Sequence, residues 1–123
     1  MTNAPKPPAH VEPYVRVLGV DLAITFLLAF GGAELYIPAV PNGRSRLVEV
    51  IGREAAERLA AIAHTLPRRV PTAKPWIAAV FDSRGLPRAD IARTLHSSDV
   101  AVRRWLSGHH SHRDQDSRQL RLF

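Results

Sequence analysis

Residues 86–108, LPRADIARTLHSSDVAVRRWLSG, decide the fold of the C-terminal part of the chain. Apolar side chains recur there at helical spacing in two short runs. These are Ile91, Ala92 and Leu95 in the first run, and Val102, Trp105 and Leu106 in the second. Two short helices that cross steeply need a small residue where they approach and a short turn between them. Ala92 and the turn at His96-Ser97 meet both needs, so the stretch predicts a helix-turn-helix core between Leu86 and Gly108.

Residues on either side of this core fit the helix boundaries. A preceding helix is expected from about Lys74, with Trp76 on its buried face. Pro87 suits the first turn of the next helix, where its missing N–H does no harm. Ser98 is typical of the N-cap of the third helix. The turn is less usual, because glycine is common where His96 stands and histidine adopts a positive φ only at a cost.

The helix predicted over 98–108 presents residues that suit the major groove of DNA. Arginine pairs bidentately with guanine or binds phosphate, and we expect Arg103 and Arg104 to make such contacts. Arg88 and Arg93, on the preceding helix, are better placed for phosphates. The predicted DNA contacts are Arg88, Arg93, Ser98, Asp99, Ala101, Arg103, Arg104 and Ser107. The alternative for any single arginine is a solvated surface residue.

The excess basic charge is confined to the second half of the chain. Up to Leu66 the sequence has six basic and six acidic residues, whereas from Pro67 it has 11 basic and five acidic residues. The formal net charge of +6 therefore lies in the half with the predicted helix-turn-helix. Such a surface attracts polyanions, and double-stranded DNA is the partner expected from the motif.

Other function classes find little support in the residue pattern. The longest apolar run, from Leu22 to Phe30, is far shorter than the roughly 20 residues of a membrane span. Cysteine is absent, which excludes disulfides and thiolate zinc sites. The tail histidines His109, His110 and His112 lie in a segment expected to be mobile, so we expect no metal and no cofactor. Without a nucleophile–base pair or a phosphate-binding glycine loop, we expect no enzyme. The predicted location is cytoplasmic, at the nucleoid when DNA is bound.

Prolines and glycines divide the rest of the chain into segments. Residues 1–13 predict a disordered arm, 14–66 a helical dimerisation region, 67–75 a linker, 76–108 the DNA-binding domain and 109–123 a flexible polar tail. The linker contains Arg68 and Arg69, for which contact with phosphates and simple solvation both stay open. The predicted fold class is mainly α, with one short β-strand and a C-terminal three-helix domain.

Within the dimerisation region, two helices flank the strand. The first runs from Tyr14 to the Gly31-Gly32 pair, since glycine tolerates a left-handed C-cap. The strand is expected near 33–37 and ends at Pro38. The second helix spans roughly 45–65, with an apolar stripe at steps of three and four and Gly52 as a candidate break.

The sequence resembles the Mor transcription activator family of Mu-like phages. The resemblance rests on Gly31-Gly32-x-x-x-Tyr36-Ile37-Pro38, on Gly52-Arg53-Glu54-Ala55-Ala56-x-x-Leu59-Ala60 and on the C-terminal motif, and it covers about 21–106. It implies an N-terminal helical dimerisation region, a strand paired across the dimer and two helix-turn-helix units. It also implies activation of phage promoters through contact with RNA polymerase.

Two interpretations of function follow. The first is a homodimeric, sequence-specific transcription regulator from a phage or mobile element. A dimer would also cover the apolar residues of the first half and the unpaired edge of a lone strand. The second is a DNA-recognition or adaptor subunit of a larger complex, of the recombinase, packaging or antitoxin type. A homodimer in solution favours the first, and a monomer that co-purifies with a partner favours the second.

Overall fold

The computed structural model describes residues 5–38 and 45–107, which form a mainly α-helical chain. The expectation of a mainly α fold is confirmed. The chain divides into two compact units. The first unit is Lys6–Ala73, and the described residues of the second unit are Pro5 and 74–107. The predicted tail, 109–123, and Gly108 lie outside the described residues.

Two helix pairs build the first unit. They are α1 (Glu12–Leu18) with α2 (Val20–Phe30), and α3 (Arg46–Ile51) with α4 (Arg53–Ile62), the latter continued by a 3₁₀ turn at Ala63–Thr65. The predicted helix over 45–65 does break at Gly52. The prediction of one helix from Tyr14 to Phe30 is wrong, because that segment breaks at Gly19. Gly19 and Gly52 have positive φ, 83° and 86°, whereas residues inside a right-handed α-helix have negative φ. The helix is therefore interrupted at each glycine.

The two helix pairs share the order helix, glycine, helix at an offset of 33 residues, and we call them the two repeats. Adding 33 to a residue number in 17–38 gives its counterpart in 50–71. Identical pairs are Val17 and Val50, Gly19 and Gly52, Ala23 and Ala56, and Pro38 and Pro71. Helix α1 packs against α2 and α4, and α3 packs against α4 and α2. Exchanging the two repeats leaves this set of contacts unchanged.

The core of the first unit lies among these four helices. Tyr14 is fully buried and stacks on Phe26, with ring centroids 5.4 Å apart. Burial raises the pKa of the Tyr14 phenol. The predicted apolar stripes supply the other buried residues, among them Leu18, Leu27, Phe30, Leu47, Ile51 and Leu59. Most of the apolar surface expected to need a partner chain is therefore buried within a single chain.

The strand predicted near 33–37 is not formed among the described residues. The segment is extended, but it makes a single isolated antiparallel bridge, Glu34 to Arg69. Two backbone hydrogen bonds flank the bridge, from Leu35 N to Arg68 O (2.8 Å) and from Val70 N to Ala33 O (2.9 Å). The partner thus comes from the segment predicted as a linker. Val70 is 3% exposed, so part of that segment packs into the first unit.

The segment predicted as a disordered arm, 1–13, overlaps the folded unit. Val11 is fully buried and α1 begins at Glu12, so the end of 1–13 belongs to the folded unit. High proline content favours a disordered arm, but Pro13 lies in the first turn of α1, where proline is tolerated.

Three helices form the described part of the second unit. They are α5 (Lys74–Ser83), α6 (Arg88–Thr94) and α7, which spans 99–107. Helix α5 buries Trp76, Ile77 and Val80 and packs against α6. The Trp76 indole Nε1 donates a hydrogen bond to Pro5 O at 2.9 Å. The indole N–H therefore has a hydrogen-bond acceptor although the ring is buried.

Candidate nucleic-acid interface

A tight turn joins α6 to α7. His96 has φ of 51°, the left-handed conformation considered from the sequence. Ser97 N donates to Ala92 O at 2.9 Å and closes the end of α6. Ser98 Oγ then accepts a hydrogen bond from Ala101 N at 3.0 Å, which is the geometry of an N-cap. These contacts fix where α7 begins and in which direction it leaves the turn.

The inward faces of α6 and α7 are apolar and closely packed. Ile91, Leu95 and Val102 are at most 1% exposed, and Ala92 and Leu106 are also buried. Trp105, predicted to be inward, is only half-buried. Ala92 was expected at the point where the two helices approach each other, and its small side chain is indeed buried. The apolar faces leave the opposite sides of both helices in solvent.

The solvent face of α7 differs in one place from the prediction. Arg103, Arg104 and Ser107 are exposed as expected, but Ala101 is half-buried. Val100, which was not among the predicted contacts, is 64% exposed. Positions 100, 103, 104 and 107 follow the i, i+3, i+4, i+7 rule for one side of a helix. That spacing was the available signal, and it places Val100 rather than Ala101 beside the arginines.

Asp99 links the two helices through arginines. Its carboxylate lies 3.4 Å from Arg88 Nε on α6 and 3.3 Å from an Arg103 guanidinium nitrogen on α7. Arg93 pairs with Asp90 on its own helix at 3.4 Å. All of these side chains are at least 48% exposed, so the pairs contribute little to folding. Arg104 has no ion-pair partner among the described residues.

The second unit has an excess of basic side chains. Between residues 74 and 107 the sequence has six Lys or Arg and three Asp residues. Four of the six basic residues, Arg88, Arg93, Arg103 and Arg104, are those predicted to contact DNA, and all four are exposed. Ser98 and Asp99, also predicted contacts, are exposed at the start of α7. This region therefore has the charge and the polar donors that a polyanion requires.

The arginines of the predicted linker have separate environments. The Arg69 guanidinium donates to Gly32 O at 2.7 Å, so it holds the bridge in the first unit together. Arg68 is exposed and lines an open groove of about 870 Å³. The groove also contains Leu35, Ile37, Leu66 and Tyr36, which is 84% exposed.

Two negative findings concern the described residues alone. No helix there is long and apolar enough to cross a membrane. Within the same residues, no three His, Cys, Asp or Glu side chains lie together as a metal site would need. The tail histidines considered above fall outside them.

Comparisons with known proteins return no neighbour. No family model matches the chain, and neither the curated proteins nor the solved structures contain a match to it.

Proposed function

We propose that this protein is a sequence-specific DNA-binding transcription regulator. Helices α5, α6 and α7 serve as a helix-turn-helix domain, and α7 enters the major groove. The observation that carries the proposal is the solvent face of α7, where Val100, Arg103, Arg104 and Ser107 lie on one side. The tight turn at His96 and the Ser98 cap hold that face in a fixed direction from α6.

The residues of this face match the groups of the major groove. Arg103 and Arg104 pair with guanine O6 and N7, and Val100 contacts a thymine methyl group. Ser107 has a hydroxyl for either a base or a phosphate. Arg88 and Arg93, on α6, bind phosphates and set the register of the protein on the duplex.

A homodimer is part of the proposal and rests on two supports. One is the resemblance to the Mor family, which pairs strands across a dimer and recruits RNA polymerase at phage promoters. The other is the Glu34–Arg69 bridge. Its flanking hydrogen bonds involve the neighbouring residues, so the N–H and C=O of Glu34 point away from Arg69. Neither group has a hydrogen-bond partner in the described chain, and a second copy can pair with this edge.

The alternative is an adaptor subunit that brings DNA to a larger complex. The groove beside Tyr36 favours it, since an exposed tyrosine among apolar residues is suited to a partner protein. In this alternative the second unit has the same DNA-binding role, and the first unit binds a different protein. Either protein acts in the cytoplasm, at the nucleoid.

Genome-wide mapping of bound DNA, combined with transcript changes on deletion, tests the proposal in the cell of origin. A regulator enriches discrete sites that share one sequence and lie beside genes whose transcripts change. Symmetric sites support the homodimer. Bound sites without transcript changes support the adaptor, and a uniform distribution over the genome contradicts sequence-specific binding.

A further inference from the structure

Asp99 is an acidic residue at the start of a surface expected to meet phosphates. It is the first residue of α7 and directly precedes Val100 on the solvent face. Its side chain is 49% exposed, so Asp99 is not part of the buried core of the unit. A carboxylate in this position is repelled by the DNA backbone and weakens binding to any duplex. A carboxylate in the first turn stabilises the helix itself, and a gain that depends on DNA sequence would offset the loss in binding.

The contacts of Asp99 suggest what that gain is. The carboxylate reaches Arg88 on α6 and Arg103 one turn further along α7. One oxygen, Oδ1, faces Arg88, and the other, Oδ2, faces Arg103, for which the geometry also satisfies a hydrogen bond. A guanidinium has five N–H donors in a rigid fork. Arg103 can therefore keep Asp99 on one edge and use two other donors for a guanine.

We propose that Asp99 is a specificity-determining residue, which orients Arg103 toward a base and Arg88 toward the backbone. The inference rests on the proposed function. Without the carboxylate, both arginines are free to follow phosphates on any sequence. Asp99 thus lowers affinity for random DNA and fixes the geometry in which a matching base is read. It acts through the arginines and need not touch DNA.

Asp90 provides a matched control. It also lies in the first turn of a helix, α6, and also pairs with an arginine, Arg93, at 3.4 Å. Asp90→Asn and Asp99→Asn remove the same charge from the same unit. A general electrostatic effect therefore predicts equal behaviour of the two variants, whereas orientation of Arg103 predicts a difference.

The test uses the full-length protein and two duplexes. One is the sequence that the wild-type protein selects from a random-sequence pool, and the other is a shuffled version of it. The ratio of the two dissociation constants measures specificity. We expect Asp99→Asn to bind the shuffled duplex more tightly and to lower the ratio roughly tenfold or more. Asp90→Asn should leave the ratio within about twofold.

The outcomes distinguish failure of the proposed function from failure of the role proposed for Asp99. If the wild-type protein selects no sequence, the proposed function fails. If it selects one but Asp99→Asn keeps the wild-type ratio, or Asp90→Asn lowers the ratio equally, the role of Asp99 is overturned. Circular dichroism checks the fold of each variant. Should Asp99→Asn not fold, Asp99→Ser decides, because serine also lacks the carboxylate and is tolerated at the start of a helix. We expect the same fall in the ratio, and an unchanged ratio in Asp99→Ser would overturn the inference.

Discussion

His96 has a backbone conformation that residues with a Cβ rarely adopt. Its φ of 51° lies in the left-handed region, which costs about 1–2 kcal/mol for a residue other than glycine. The position can be predicted from the sequence, because glycine is common there in a turn of this kind. Ala73 is the other non-glycine residue with positive φ among those described.

Replacing His96 by glycine should therefore stabilise the second unit. We expect His96→Gly to raise the free energy of unfolding by about 0.5–1 kcal/mol, since relief of strain exceeds the entropic cost of glycine. Urea denaturation measures the change. Ser97→Gly is the control in the same turn, and it should lower stability because Ser97 does not have positive φ. A loss of stability in both variants would show that His96 is not strained.

Arg104 is the arginine of α7 without an ion-pair partner in the described chain. Because no ion pair needs to break when it binds, we expect it to contribute directly to base recognition. Arg104→Ala should weaken binding to the selected duplex by about 1–3 kcal/mol and relax the sequence preference at one position. Fluorescence anisotropy titration measures the loss.

Arg16→Ala provides the control for Arg104, because it removes an exposed arginine that pairs with Glu12 in the first unit. It should change binding to the selected and shuffled duplexes equally or leave both unchanged. If Arg104→Ala behaves in the same way as Arg16→Ala, then Arg104 does not read a base.

At the scale of the helices, two glycines of the first unit test two different effects. Gly52 has φ of 86° and an added Cβ would meet nothing within 4 Å, so an alanine there introduces backbone strain alone. Gly31 has an ordinary negative φ, −55°, but an added Cβ would lie 2.5 Å from Leu27 O and 3.1 Å from Pro71 O. An alanine there produces a steric clash with backbone atoms.

We expect both substitutions to destabilise the protein, by different amounts. Gly52→Ala should lower the free energy of unfolding by about 1–2 kcal/mol. Gly31→Ala should cost about 3 kcal/mol, because the backbone atoms around it cannot move aside easily. Thermal unfolding of the two variants measures which substitution destabilises the protein more. A stabilising Gly52→Ala would mean that one continuous helix spans 46–62, as the sequence pattern alone allows.

The helices show which features the sequence could predict. The apolar spacing located the helical segments of both units, and Ser98 correctly marked the start of α7. The apolar spacing did not reveal the break at Gly19, because a four-residue spacing continues across that glycine. It is formed by Leu18, Leu22, Phe26 and Phe30. Gly19 occupies the same place in the first repeat as Gly52 in the second, where the pattern did indicate a candidate break.

The features that the sequence did not predict include a pairing between residues that are distant in sequence. The extended segment at 33–37 was recognised from its alternating pattern, and Tyr36 is indeed on the exposed side. Its partner, Arg69, follows two helices later, and no local pattern indicates that pairing. On α7 the error was smaller: Val100 is apolar and was left out of the solvent face, although the helical period requires it there.

At the scale of the whole molecule, the internal repeat bears on the number of subunits. The repeats bury most of the apolar residues that were expected to require a second chain, which leaves the Glu34 edge as the structural ground for a dimer. We predict a homodimer of about twice the 13.6 kDa chain mass, measured by light scattering after size-exclusion chromatography. A mass of 13.6 kDa for the isolated protein would contradict the dimer and favour the adaptor alternative.

Specific DNA binding by the second unit is the claim on which the other proposals depend. The most direct test is a competition titration with the labelled selected duplex at 50 and 200 mM salt. We predict that affinity falls roughly tenfold to a hundredfold over this range, as several phosphate contacts require. Shuffled DNA should compete roughly a thousandfold less well than the selected sequence. Binding that does not change with salt, or equal competition by shuffled DNA, would contradict the account.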